Sequence, residues 1–177
     1  NPAGLAGRHV LVVDDNATNR EIVEHHVAAG GMRCDSARDG LEALERIRAA
    51  HGSGDRFDIA VIDMKMPRMD GIELAAQLRA DPDLADIRLV LVTSLHSADE
   101  VSRARAAGIE VYLSKPVKRM ELFRSLAQAI GSVDIDKTQS RPQQTMPRFK
   151  ARVLLAEDNG VNRVVARNML KALGCAP

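Results

Sequence analysis

Short strand-type runs alternate along the chain with longer stretches in which apolar residues recur every three or four positions. The runs fall at His9–Asp14, Arg33–Ala37, Asp58–Asp63, Leu89–Thr93 and Glu110–Leu113. Between and after them the spacing turns helical. Leu41, Leu44 and Ile47 step along one face, as do Ile72, Ala75 and Leu78. Val117, Met120, Phe123, Ala127 and Ile130 do so again at the end of the series. Five strands alternating with five helices over residues 7–131 predict an α/β unit, a doubly wound five-stranded parallel sheet with helices on both faces. Sheets of this kind bind ligands at the carboxyl ends of their strands, beside the point where the strand order reverses.

The opening of this unit returns later in the chain. Residues 10–31 read VLVVDDNATNREIVEHHVAAGG and residues 153–174 read VLLAEDNGVNRVVARNMLKALG, with Asp15/Asp158, Asn16/Asn159, Asn19/Asn162 and Arg20/Arg163 identical in register. The repeat predicts a second domain of the same kind, begun at 150–177 with one strand and one helix. Residues 132–149, polar and Pro-bearing, read as a linker. One strand and one helix bury too little surface to fold alone. The 150–177 segment is therefore expected to pack on the first unit or on a neighbouring chain, which would make a dimer. The opening Asn1-Pro2-Ala3-Gly4, with no Met and no signal layout, fits a piece of a longer protein.

Composition narrows the chemistry. Lys+Arg number 25 against 24 Asp+Glu, a net charge of +1, so the chain lacks the basic footprint of a nucleic-acid or anionic-membrane binder. Three Phe, one Tyr and no Trp leave little for base stacking or an aromatic cage. The two cysteines, Cys34 and Cys175, form neither a disulfide framework nor a metal-ligand spacing, and a reduced, cytoplasmic setting is expected. Cys34, inside a predicted strand, reads as buried and inert.

The strand ends carry the candidate chemistry. The first ends in Asp14-Asp15, the third in Asp63, the fourth in Thr93-Ser94, and the fifth runs into Ser114-Lys115-Pro116. In adjacent parallel strands these side chains share one rim. Three carboxylates held together raise one another's pKa unless a cation intervenes. A hard divalent ion with oxygen ligands, Mg²⁺ before others, is the natural relief, and such an ion welcomes phosphate oxygens. Asp63 suits the role of nucleophile in a phosphoryl transfer, with the Lys115 ammonium and Thr93 hydroxyl holding phosphoryl oxygens. Pro116 is placed to fix a tight turn, through a cis bond, that aims Lys115 inward.

Taken as a set, VVDDN (Val12–Asn16), VIDMKMPRMDG (Val61–Gly71), LVTS (Leu91–Ser94) and YLSKP (Tyr112–Pro116) resemble the receiver domain of response regulators in two-component and phosphorelay systems. The resemblance implies a flavodoxin-like (βα)₅ fold with Asp63 as phosphoacceptor. It also implies a metal site of Asp14, Asp15, Asp63 and the Lys65 backbone carbonyl, taking Mg²⁺ with Mn²⁺ an acceptable substitute. Thr93 and Lys115 become the phosphate-sensing pair, and Tyr112 the switch aromatic that moves with Thr93. The repeat, EDNGVNRVVARNML at Glu157–Leu170, resembles receivers attached to hybrid sensor histidine kinases. That likeness implies a first receiver, a linker and the truncated start of a second. The implied partners are the histidine-bearing dimerisation domain of its own kinase and a histidine phosphotransfer domain. No nucleic acid and no direct membrane contact are expected for this stretch, although a membrane-anchored parent kinase would fit. The unit by itself is at most a slow catalyst of its own phosphorylation and dephosphorylation. The parent would be the transferase.

Other readings compete. A receiver fold can act as a docking or regulatory module without being phosphorylated. An aspartyl-phosphate phosphatase of the haloacid-dehalogenase type wants a second Asp two residues after the nucleophile, where this chain has Lys65. A flavodoxin-like cofactor binder wants a Ser/Thr/Gly-rich loop where this chain has the acidic DDNATN, and no G-x-x-x-x-G-K-[ST] loop occurs. Individually, Asn16 and Thr18 read as helix caps, Asp70-Gly71 as turn chemistry, and Met64, Met66 and Met69 as core edge rather than thioether ligands. His25 and His26 sit on the first predicted helix without the surroundings of a kinase dimerisation helix or a phosphotransfer domain. His96 reads as a solvated loop residue, and the Lys65 side chain as solvent-facing near the site.

Overall fold

A computed structural model describes residues 4–94 and 98–131, and beyond them only positions 153, 154, 167 and 170. The chain divides into two compact units, residues 1–134 and 135–177. The fold that follows is that of the first. The expectations for His96, for the linker and for the packing of 150–177 lie outside the described residues.

Five strands, β1 (His9–Val13), β2 (Arg33–Ala37), β3 (Ile59–Asp63), β4 (Arg88–Thr93) and β5 (Val111–Ser114), alternate with five helices. These are α1 (Ala17–Ala29), α2 (Gly40–Ser53), α3 (Gly71–Ala80), α4 (Ala98–Ala106) and α5 (Arg119–Ala129). All pairings are parallel, in the order β2-β1-β3-β4-β5. The predicted doubly wound sheet is the observed one, with strand ends shifted by a residue at most.

Alternation along each strand sorts the core into two layers. Val10, Val12, Val61, Val90 and Val92 point to the layer that holds Val23 and Val27 of α1 and Leu122 and Leu126 of α5. Leu11, Val13, Ile62 and Leu91 point to the other, against Leu44 and Ile47 of α2 and Leu74 and Leu78 of α3. The N-terminal approach belongs to this core too, for Leu5 is only 1% exposed.

Two apolar residues assigned to core faces are not there. Met120 is 66% and Leu41 40% exposed. The buried stripe of α5 is Leu122, Phe123, Leu126 and Ala127, and that of α2 is Ala43, Leu44 and Ile47 with Gly40. At 3.6 residues per turn Met120 and Leu41 each fall about 100° from the centre of their stripe, on its flank. Cys34 is half-buried rather than buried. Burial and the neighbouring Glu24 and Asp35 push its thiol up to about 12, which keeps it inert near neutral pH.

The helices that leave β1, β2 and β3 are each capped by a side chain at the strand's carboxyl end. Asn16 accepts from the Asn19 N–H, and Asp39 accepts from the N–H groups of Leu41 and Glu42. Asp70 forms a reciprocal capping box with Glu73. Asp70 is thus a helix start as well as a turn residue, and the D-x-x-E spacing of Asp70 and Glu73 was the sequence signal for it.

Candidate functional site

The strand order turns back between β1 and β3, since β2 lies on one side of β1 and β3–β5 on the other. A crevice opens at the carboxyl ends there, and it holds Asp14 and Asp63. Both are 6% exposed, while Asp15 faces solvent. Asp14, Asp15 and Asp63 each present a carboxylate oxygen within 4.8 Å of the others. A cavity of about 410 Å³ adjoins them, lined by Asp14, Asn19, Ile22, Asp63, Lys115 and Pro116 among others.

Lys115 bridges the buried pair, its Nζ lying 2.9 Å from Asp63 Oδ2 and 3.1 Å from Asp14 Oδ2. The peptide bond to Pro116 is cis, as the sequence reading expected, and the Lys115 N–H donates to the Thr93 carbonyl at 2.9 Å. The ends of β4 and β5 are thereby tied together, with Thr93 buried at the first of them.

The electrostatics follow from burial and charge. Burial pushes the Asp63 carboxyl above its usual range. The Lys115 hydrogen bond draws it back, the Asp14 charge pushes it up again, and the Lys65 N–H draws it down. The net direction is upward. Burial works against the Lys115 ammonium, but its hydrogen bonds and charge interactions with Asp63 and Asp14 outweigh this and hold its pKa above the ordinary value.

Asp14 is fixed from three sides. Its Oδ1 accepts from the Asn16 N–H at 2.9 Å, and the Asn19 side-chain amide donates to both oxygens at 3.3 and 3.2 Å. Arg20 donates to the backbone carbonyls of Asp14 and Asp15 at 2.8 and 3.3 Å, clamping the acidic turn onto α1. Nothing in the local sequence marks Asn19 or Arg20 as part of the site, although both stand identical in the repeat.

The remaining expected residues are more dispersed. The Lys65 side chain is exposed, while its backbone N–H reaches the Asp63 carboxylate. Tyr112 is half-buried, its hydroxyl donating to the Ile109 carbonyl at 3.0 Å and lying 3.5 Å from that of Val101. It is thus tied to the α4–β5 side. Met64, Met66 and Met69 are buried as core edge. His25 is exposed and His26 half-buried on α1.

Oxygen-only donors, a crowded negative charge and one bridging ammonium fit a hard divalent cation in this crevice. A parallel α/β sheet with such an acidic pocket at its switch point defines a phosphoacceptor-type signalling fold. The profile of the response regulator receiver domain matches residues 10–127, and the chain belongs to that family. It is the receiver domain of a two-component system.

Among curated relatives, the response regulator MprA of Mycobacterium bovis (strain BCG) is 33% identical over 154 residues, 87% of this chain and 63% of the relative. The one from Mycobacterium avium (strain 104) is 37% identical over 114 residues, 64% of this chain and 47% of the relative. The chain thus spans about half to two thirds of the length of such relatives. Among solved structures, the chemotaxis protein CheY4 of Vibrio cholerae matches with a TM-score of 0.65 at 29% identity, covering 70% of this chain and 99% of that one. The receiver domain of sensor histidine kinase PA1611 from Pseudomonas aeruginosa matches with a TM-score of 0.61 at 29% identity, covering 71% and 99%. That structure has a magnesium ion coordinated in its active-site cleft.

Proposed function

We propose that Asp63 accepts a phosphoryl group from a phosphohistidine, and that the Thr93–Tyr112 face then changes to suit a partner. The observation that carries this reading is the Lys115 ammonium set between two buried carboxylates at the switch point. A carboxylate oxygen of Asp63 attacks phosphorus, the P–N bond breaks, and its electron pair leaves on the imidazole nitrogen, which takes a proton from solvent. Lys115 swings its contact from Asp63 to a phosphoryl oxygen, and the Thr93 hydroxyl holds a second.

Asp14, Asp15, Asp63 and the Lys65 backbone carbonyl would hold Mg²⁺, or Mn²⁺ in its place, which when bound neutralises negative charge on the carboxylates and the phosphoryl oxygens. Asn19 and Arg20 keep the acidic turn in place while that charge changes. Tyr112, anchored to the α4–β5 turn, is the element that reports the change to the surface.

The in-register repeat at 153–174 and the likeness to a sensor kinase's receiver support an origin in a hybrid kinase with tandem receivers. The partners would be that kinase's histidine-bearing dimerisation domain and a phosphotransfer domain, in the cytoplasm. Among the described residues no helix is long and apolar enough to cross a membrane. One observation favours a second reading: the curated relatives named above are response regulators. A stand-alone regulator would then be the parent.

Intact-mass spectrometry after incubation with a small phosphoramidate tests the site. The expected result is one phosphoryl addition that needs Mg²⁺ and is abolished in Asp63→Asn. No addition beside a competent control receiver would favour a docking module. Addition that survives the substitution would place the acceptor elsewhere.

A further inference from the structure

Among the described residues Arg68 is the sole non-glycine with a left-handed backbone, at φ +69°. Such a conformation costs roughly 1 kcal/mol or more in a residue with a Cβ, and persists where its surroundings hold it. Arg68 lies in the segment joining the Asp63 strand end to α3, where glycine would meet the backbone demand for less. Something about the arginine side chain is therefore being used.

Its guanidinium reaches Asp39, whose side chain is 3% exposed. Asp39 Oδ1 caps α2 by accepting from Leu41 N–H and Glu42 N–H, both at 3.0 Å, which leaves Oδ2 for Arg68. The neighbouring Arg38 lies 3.9 Å from the same oxygen and turns to Glu42 at 3.3 Å instead. Met69 adds a packing contact, for a Cβ built on Gly40 at the start of α2 would lie 2.8 Å from the Met69 Cγ.

The same segment is closed on itself and on β3. The Met69 N–H donates to the Pro67 carbonyl at 2.8 Å and the Gly71 N–H to the Met64 carbonyl at 3.0 Å. Between these ties stands Lys65, whose N–H meets the Asp63 carboxylate. These ties and the Arg68–Asp39 pair thus bracket the segment that carries Lys65.

We propose that Asp39 and Arg68 are positioning residues: their ion pair clamps the segment after Asp63 onto the start of α2 and so aims the Lys65 backbone at the phosphoacceptor. This rests on the reading of Asp63 as phosphoacceptor. Through the clamp α2, which supplies no residue to the crevice, shares control of metal affinity and of phosphoryl uptake.

The test compares the full chain with Asp39→Asn, Arg68→Asn and Arg68→Lys. Asn caps helices about as well as Asp and tolerates a left-handed backbone, so the two Asn variants remove the ion pair while sparing cap and turn. Mg²⁺ affinity of the unphosphorylated protein is read by calorimetry, hydrogen exchange at the Lys65 amide by NMR without metal, and phosphoryl uptake from a phosphoramidate by intact mass. Both Asn variants should bind Mg²⁺ about tenfold more weakly, the scale of losing an outer support of a metal site. They should also exchange the Lys65 amide faster and slow uptake, with melting temperatures near wild type, and Arg68→Lys should recover most of each loss. Wild-type affinity and exchange in both Asn variants would overturn the clamp. Failure of the wild-type protein to take up phosphoryl would instead overturn the phosphoacceptor reading, and this proposal with it.

Discussion

The ammonium nitrogen of Lys115 lies 2.9 Å from Asp63 Oδ2, and the same nitrogen stands 3.1 Å from Asp14 Oδ2. One cation thus holds together two buried acids that belong to different strands. It is also placed to follow negative charge from the carboxylate to a phosphoryl group formed on it.

Lys115→Met should therefore separate binding from chemistry. Removing a positive charge from the crevice favours a divalent cation, so Mg²⁺ should bind more tightly than in wild type. Phosphoryl uptake should fall about a hundredfold or more, the usual scale of losing one aimed donor for developing charge. Calorimetry and a phosphoramidate time course read the two effects. Weakened Mg²⁺ binding in Lys115→Met would show that the lysine organises the acids rather than competing with the metal.

The crevice was legible in the sequence because its acids and its lysine stand at strand ends, and a parallel sheet brings strand ends together whatever the loops do. Asp14, Asp63 and Lys115 needed only the alternation of strands and helices to be placed side by side. Asn19 and Arg20 were hidden because a polar first helical turn looks the same whether it caps the helix or holds a carboxylate. Arg68 was hidden because its partner, Asp39, is remote in sequence and its backbone conformation leaves no mark on composition. Met120 and Leu41 misled for a different reason: steps of three and four fit two overlapping stripes on a helix, and only packing selects one.

Asp63 carries a pH signature. Its folded-state pKa is raised, so the folded state favours the protonated acid. That contribution is fully present below the unfolded pKa and is lost as pH rises through the folded value. In metal-free protein above the folded value the charge on Asp63 is thus a net cost, and Asp63→Asn should melt higher than wild type there. The advantage should vanish below the ordinary carboxylate range, where Asp63 is protonated in both states. Saturating Mg²⁺ should reverse the order at pH 7, since only the intact site gains from binding. Thermal melts with EDTA and with Mg²⁺ across pH check all three statements.

Cys34 gives a simple probe of β2, the edge strand of the sheet. With its thiol pushed up to about 12, almost none is thiolate at pH 8, so iodoacetamide should label it far more slowly in the native protein than in urea. Peptide mapping distinguishes it from Cys175. Equal labelling rates at Cys34 in native and unfolded protein would show that β2 opens readily.

Arg79 joins three segments through its guanidinium. It donates to the carbonyls of Ala85 at 2.6 Å, Ile87 at 2.9 Å and Gly108 at 3.4 Å, so the end of α3, the approach to β4 and the α4–β5 turn depend on one side chain. Burial holds its pKa below the ordinary value. Arg79→Ala should destabilise the fold by about 1–3 kcal/mol, the cost of leaving these part-buried carbonyls unpaired. Arg79→Lys should recover little, because a single ammonium cannot match the fork. Urea unfolding of both variants checks the magnitude.

Gly71 is the position where the fold leaves the wall of the acidic crevice no room. A Cβ there would stand 2.4 Å from the Asp63 backbone carbonyl oxygen and 2.9 Å from Leu91 Cδ1. The leucine could turn aside, but the carbonyl belongs to the strand end that presents Asp63. Gly71→Ala must therefore push α3 away from β3 or tilt the Asp63 peptide. Forcing one extra carbon into such a contact costs about 1–3 kcal/mol, and the gain in helix propensity from Gly to Ala, about 1 kcal/mol, offsets part of it. The net loss in urea should be about 0–2 kcal/mol, while phosphoryl uptake should fall more steeply than stability does, since the displaced group carries Asp63. A variant of normal uptake and reduced stability would mean that α3 yields and the strand end does not.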